Sequence, residues 1–409
     1  MNRIVLVGNG FDLAHNLPTK YEDFINWYWG ERIKMMYNCP NQIMKDNLCS
    51  LEILNYTAND AFAAFTLSKA CSFNYTNWNN ILKMIIKDKN DYKVIYSPLF
   101  GVICKSIETR GWIDIENEYY NFLRSFLNEH EYRDPCTLNN ELDYIKTILI
   151  EYLKYIQDKD IKEDILNQDI KTKILEPIKS DDISVDAKQS FDDFEKRRNK
   201  LSLGNFYPLL RNYYGKEYKI DADKHLVFQL KERLLPDRIM LLNFNYTKTA
   251  DMYLPLNDCF KVNHIHGNLE NPNSVIFGYG DELDINYKEL SRLNDNEYLR
   301  NIKSIKYLES SNYRNVLSFI ESEPYQIYIM GHSCGNSDRT LLNTLFEHNN
   351  CVSIKPFYYK SSDGKDNYLD IVQNISRNFT DMKLMRDRVV NKTYCEPLPQ
   401  NKQISVQEV

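Results

Sequence analysis

The chain opens Met1-Asn-Arg-Ile-Val-Leu-Val-Gly-Asn-Gly-Phe-Asp-Leu-Ala-His-Asn-Leu-Pro18, and this stretch decides the fold. Ile4 to Val7 is a short apolar, β-branched run. It reads as a strand buried on both faces of a parallel sheet. Gly8 and Gly10 follow at its carboxyl end. Glycines there let the backbone turn tightly and approach a ligand with its N–H groups exposed. A helix starting just after them would add its positive dipole end, a setting that suits a pyrophosphate. The plainer reading is a strand-to-helix turn and nothing more; a glycine pair alone does not separate the two. The third glycine of G-x-G-x-x-G falls on Leu13. Glu22 and Asp23 lie in a helical segment and not at a second strand end. No G-x-x-x-x-G-K-[ST] occurs. The stretch is neither the dehydrogenase fingerprint nor a P-loop.

The 409 residues are 43% hydrophobic, enough for a large core. A formal net charge of −6 provides no electrostatic footprint for nucleic acid or an anionic membrane. No apolar run approaches the length of a membrane span, and the first apolar run is too short for a signal peptide. The nine cysteines are odd in number and form no Cys-x-x-Cys pair. Reduced thiols in the cytoplasm are therefore expected, and no structural metal.

Beyond Pro18, Tyr21, Phe24, Ile25 and Tyr28 have helical spacing. From there to Pro236 the pattern predicts helices and almost no strand. Glu116 to Leu127 and Leu142 to Ile156 are amphipathic. Residues 157–200 are charge-rich, predicting exposed helices or a mobile connection, with Glu195 to Arg198 on a solvated face. Strands return at Ile239 to Leu242, Cys259 to Ile265, Val275 to Phe277, Gln326 to Met330 and Val352 to Phe357. Helices fill much of 286–322 and Leu341 to Phe346. The fold class is α/β: an open, mostly parallel sheet with a large helical insertion. Residues 1–30 hold the first strand and glycine loop, 31–235 the insertion, 236–385 the rest of the core, and 386–409 a C-terminal tail.

Unusual polar groups stand just past strand ends at Gly8, Asn243, His266 and Gly331, the edge where ligands bind in such sheets. Asn245 and His266 are the expected catalytic pair. Histidine is the usual general base near neutral pH, and asparagine orients a water or a ribose hydroxyl without adding charge. The plain alternative for His266 is a satisfied core histidine under Gly267, although His264 precedes it on the same strand face. In Trp112-Ile-Asp-Ile-Glu116, Asp114 is expected to cap a helix and Glu116 to sit in its first turn. Gly331-His-Ser-Cys-Gly335 is a literal G-x-S-x-G, which would make Ser333 a nucleophile. That hydrolase reading leaves only His348 downstream and has no use for the glycine loop or His266. A third reading is a nucleotide-sensing module without turnover.

The first stretch resembles the start of a sirtuin, G-A-G-x-S followed by G-x-P, with Asn9, Asp12 and Asn16 replacing its Ala, Ser and Gly. Leu241-Leu-Asn-Phe-Asn-Tyr-Thr247 is similar to the T-x-N-Y-D strand end of sirtuin-like proteins, Val262-Asn-His-Ile-His-Gly267 to their L-H-G, and Ile327-Tyr-Ile-Met-Gly-His-Ser333 to their last motif. The ordered set, with Leu17-Pro-Thr19 and Trp112-Ile-Asp-Ile-Glu116, resembles the AbiH family of bacterial abortive-infection proteins from residue 2 to about residue 345. The resemblance implies an anti-phage role and a sirtuin-like, Rossmann-type sheet whose nucleotide site takes NAD as substrate, hydrolysed to nicotinamide and ADP-ribose. Asn245 and His266 would match the catalytic pair. Gly8 and Gly10 would hold the diphosphate beside Asn9, Phe11, Asp12 and Pro18. Asn243 and Gly267 would also bind the cofactor, and Gly331 and Ser333 would approach the adenosine side. Thr247 stands where sirtuins carry an aspartate that helps seat nicotinamide. The four zinc cysteines of deacetylating sirtuins are missing, so no metal is expected. The partners implied are a nucleotide and a phage-derived trigger; assembly into a homo-oligomer stays open.

Overall fold

The computed structural model describes residues 1–37, 43–54, 92–110, 113–127, 134–201, 232–254 and 259–401; Trp112 lies outside them. Eight strands follow in chain order: β1 (Asn2–Val7), β2 (Ile43–Lys45), β3 (Cys49–Ile53), β4 (Tyr92–Tyr96), β5 (Ile239–Asn243), β6 (Phe260–His264), β7 (Tyr325–Met330) and β8 (Cys351–Phe357). The main sheet has the order β6-β5-β1-β7-β8, and every neighbouring pair is parallel. β1 is central, with Ile4 beside Met240 on one side and Ile327 on the other.

The side-chain period of two explains why β1 carries apolar residues without alternation. Ile4 and Leu6 pack into a core with Val316, Phe319, Leu341 and Leu345. Val5 and Val7 face the opposite core, with Phe11, Ile170, Ile174 and Tyr328. Arg3 is fully buried in this strand. Its guanidinium donates to the carbonyls of Ile174 and Glu176 and to Gln326 Oε1, so its donors are met inside the protein.

Four sequence expectations are corrected. The segment before Pro236 holds a second sheet, β2-β3-β4, with antiparallel pairs. Its strands are three to five residues long, too short for a period-two signal; Met44 and Leu51 bury one face into the helical core. Val275 to Phe277 is buried but is not a strand of the sheet, which ends at β6; Ile276 N–H donates to His266 O at 2.9 Å. Arg198, expected in solvent, is buried against Asp237 and the Leu235 carbonyl. The expected tail is packed at least as far as Asn401. Leu398 is buried and its N–H meets Tyr358 O, while Asn401 N–H meets Ala14 O.

The long helix Pro135–Asp160 anchors the insertion core, where Leu142, Ile145 and Tyr152 meet Phe24, Trp29 and Phe100. It also touches the sheet's carboxyl edge. Tyr152 OH donates to Pro18 O, and Gln157 Oε1 accepts from Lys248 N–H at 3.0 Å. The insertion therefore roofs the strand ends, which leaves a cavity between the two.

Candidate active site

The cavity measures about 390 Å³. Its floor comes from the loops after β1, β5, β6 and β7: Gly8, Asn9, Gly10, Asp12, Asn245, Tyr246, Thr247, His266, Gly331, His332, Ser333 and Asp338. Its roof comes from Tyr21, Ile113, Asp114, Glu116, Leu149 and Leu153.

The glycine loop joins two motifs that are more than three hundred residues apart. Gly8 N–H donates to Met330 O at 3.3 Å, Gly10 N–H to Gly331 O at 2.8 Å, and Phe11 N–H to Gly8 O at 2.8 Å. A Cβ on Gly8 would lie 2.5 Å from His332 Cα, and one on Gly331 would lie 2.0 Å from Phe11 N. These glycines let two backbones touch. Their N–H groups serve that contact and are not turned outward, which corrects the expectation of exposed donors. Asn16, at the Gly of the sirtuin-like G-x-P, has φ +61°, a left-handed conformation that asparagine tolerates.

Asn245 and His266 share the cavity. Asn245 Nδ2 donates to Gly8 O at 3.0 Å, and its N–H donates to Asn243 Oδ1 at 3.0 Å. Asn243 is fully buried and shapes this loop from below; it does not line the cavity. Gly267, Phe11 and Pro18 do not line it either. Gly267 has φ +79° and abuts Ser274 O, Phe11 packs against Tyr253, and Pro18 holds the roof helix through its carbonyl. His264 turns to Asp251, 3.1 Å away, outside the cavity.

His266 is buried, as the plain alternative requires, and it also lines the cavity. Its Nε2 lies 3.2 Å from Asp338 Oδ1 and 3.2 Å from Tyr307 OH. A carboxylate against Nε2 favours the tautomer with the proton there, leaving the Nδ1 lone pair as the basic position. Burial, then Lys303, lower the His266 pKa below its ordinary value against the opposing pull of Asp338, so the ring is neutral at neutral pH. Asp338 also accepts from Lys303 Nζ at 2.8 Å and faces His332 Nε2 at 3.5 Å. Burial opposes its charge, but Lys303 and the histidines prevail and hold its carboxyl well below the usual range. Lys303 Nζ reaches Glu116 Oε2 at 2.7 Å, and Glu116 Oε1 accepts from Gly278 N–H at 3.0 Å. Burial raises Glu116 to about 7, with Lys303 opposing. Asp114 caps the helix Ile115–Ser125 as expected, accepting from Asn117 N–H at 3.0 Å, and it also lines the cavity. Lys303, Tyr307 and Asp338 were missed because they lie in stretches of ordinary polar composition. Only the acid pair Asp114 and Glu116 carried a signal.

The G-x-S-x-G stretch does not have the form of a nucleophile elbow. The left-handed residue is Cys334, φ +55°, and not Ser333. Cys334 is buried, its N–H donates to His332 Nδ1, and the next α-helix starts only at Arg339. His348 pairs with Glu321 at 3.2 Å and is not a cavity residue. Ser333 lines the cavity.

A family model described as bacteriophage abortive infection AbiH matches residues 4–359. The chain belongs to the AbiH family. No curated protein and no solved structure matches it. An AbiH chain has a general anti-phage role, and the matched span covers the whole cavity floor. Among the described residues no helix is long and apolar enough to cross a membrane, and no group of three or more His, Cys, Asp or Glu side chains is placed to hold a metal ion.

Asp12 makes one feature of this AbiH cavity testable by stability alone. It is 1% exposed, and Thr247 Oγ1 donates to its Oδ2 at 2.6 Å. Thus Thr247, at the expected aspartate position, faces a carboxylate supplied by the glycine loop. Burial raises Asp12 from 3.8 to about 6, against the hydrogen bonds it accepts. The folded state then holds the proton more tightly than the unfolded chain. That contribution to stability is complete below about pH 4 and is lost as pH rises through about 6. A shift near two units corresponds to about 3 kcal/mol. Asp12→Asn is therefore expected to be more stable than wild type at pH 8, with the difference vanishing toward pH 4. Urea midpoints across that range measure it; a pH-independent difference contradicts it.

Proposed function

We propose that this AbiH protein hydrolyses NAD or a related nucleotide to nicotinamide and ADP-ribose in the cytoplasm as its anti-phage activity. The observation that carries the reading is the convergence of Asn245 and His266, from neighbouring strand ends, on one cavity, with His266 neutral and backed by Asp338.

The chemistry suits these groups. The bond between the ribose C1′ and the pyridinium nitrogen breaks, and its electron pair returns to the ring, which departs as neutral nicotinamide. Little acid catalysis is needed. Water adds to C1′, and its proton passes to His266 Nδ1. Asn245 orients that water or a ribose hydroxyl while its Nδ2 stays anchored on Gly8 O. Gly8, Asn9, Gly10, Gly331 and Ser333 border the space for the rest of the nucleotide. The Nε2 proton, held by Asp338, keeps Nδ1 available as the base.

The test is incubation of purified protein with NAD and chromatography of free nicotinamide. Release is expected, and Asn245→Ala should reduce it at least about a hundredfold with NAD affinity nearly unchanged. Wild-type protein that binds NAD and never cleaves it, with or without phage infection, would overturn the enzyme reading and favour a sensor.

A further inference from the structure

Buried carboxylates are normally paired. This cavity departs from that rule. Asp12 accepts from Thr247 on Oδ2, but its Oδ1 is buried with no hydrogen-bond partner, and Asp12 lines the cavity. Neither Asp12 nor Asp114 lies at ion-pair distance from a Lys, Arg or His among the described residues. Glu116 and Asp338 share a single cation, Lys303. Four carboxylates thus meet at one cavity with one ammonium group between them, and no Lys or Arg side chain is among the described lining residues. Such a surface repels phosphate. It attracts positive charge, and in a partly dry site that attraction is weakly screened.

The remaining lining gives the shape of the cation. Tyr21, Phe244 and Tyr246 offer aromatic surface. Aromatic rings and carboxylates without a basic partner together fit an organic cation, and the nucleotide proposed above carries a flat one. No metal-holding cluster exists among the described residues.

We propose that the cavity recognises a flat, positively charged heteroaromatic ring of the pyridinium class by its charge, through Asp12 and Asp114. The proposal rests on the reading above in one respect, that the pyridinium end of the dinucleotide is the end that enters. It adds the feature of that end which is recognised. It also explains product release. On cleavage the positive charge moves from the ring to the sugar carbon, where the same carboxylates stabilise it. The departing nicotinamide is neutral and no longer attracted.

The experiment uses 1-methylnicotinamide, a pyridinium cation with no glycosidic bond, and nicotinamide, its neutral counterpart. Each is titrated into the purified full chain by calorimetry at pH 8, where Asp12 is ionised. The cation is expected to bind at least about tenfold more tightly. Asp12→Asn and Asp114→Asn should each erode that preference severalfold. Their fold is checked by circular dichroism, and either variant alone suffices if the other fails to fold. Equal affinities, no detectable binding of the cation, or a preference unchanged in both variants would overturn the proposal. Neither probe can be cleaved, so the outcomes separate. NAD cleavage without cation preference removes this inference and leaves the hydrolase. Cation preference without NAD cleavage removes the hydrolase and leaves this inference.

Discussion

His266→Ala is expected to lower nicotinamide release at least about a hundredfold, the ordinary contribution of a positioned general base. The fold should persist. His266 is buried, but its Nε2 contacts, Asp338 and Tyr307, keep other partners or a packed ring: Asp338 retains Lys303, and Tyr307 stacks on Tyr313. Asp338→Asn separates a positioning role from a structural one. It keeps the shape and the acceptor toward Lys303 while removing the charge that raises the His266 pKa. The imidazole then stays neutral to lower pH, so the acid limb of the pH–rate profile should move to lower pH. The maximal rate should fall because the negative charge behind the forming imidazolium is gone, and KM should change little. A loss of rate with no movement of the acid limb would make Asp338 a packing residue only. Full activity in both His266→Ala and Asn245→Ala would place the chemistry elsewhere.

Gly331→Ala is expected to destabilise the fold by about 3 kcal/mol or more. Two terms act together. Its φ of +77° is strained for any L side chain, at about 1–2 kcal/mol. Its Cβ would also lie 2.0 Å from Phe11 N and 2.4 Å from Gly10 C, both backbone atoms that cannot swing aside. Gly364→Ala is the control. That residue has φ +88° but nothing within 4 Å of the added Cβ, so only the strain term remains. Urea unfolding of the two variants should differ by the steric term. Equal, small losses would mean that the glycine loop and the β7 loop separate easily. Because the clash sits under the cavity floor, Gly331→Ala should also weaken nucleotide binding at temperatures where the protein is still folded.

The motifs legible along the chain are those in which neighbours in sequence do the work. β1 announced its central place because four consecutive apolar residues can be buried only when both sheet faces are covered. The helices Tyr21–Tyr37, Ile115–Ser125 and Pro135–Asp160 showed their periodicity, and Asp114 its cap. Asn245 and His266 followed from their places just past strand ends, because a parallel sheet gathers those ends on one edge. The short strands β2, β3 and β4 gave too few residues for alternation to stand out, and the packing of Leu398 and Asn401 needed the core they rest on.

Sequence by itself thus determined the α/β class, the family, the inner position of the first strand and the pair of strand ends that meet at the cavity. Tertiary structure alone decided what surrounds that pair. Glu116, Lys303 and Asp338 are far apart in the chain and reach one point only when the insertion folds over the sheet. The glycines at 8, 10 and 331 likewise act on one another across the sheet. Asp12 is unremarkable as a letter in a helix. It becomes a buried carboxylate with an unmatched oxygen only when the loop after β5 brings Thr247 onto it. Desolvation and long-range Coulomb pairing, unlike helical or strand periodicity, depend on distances in space and leave no period in the sequence.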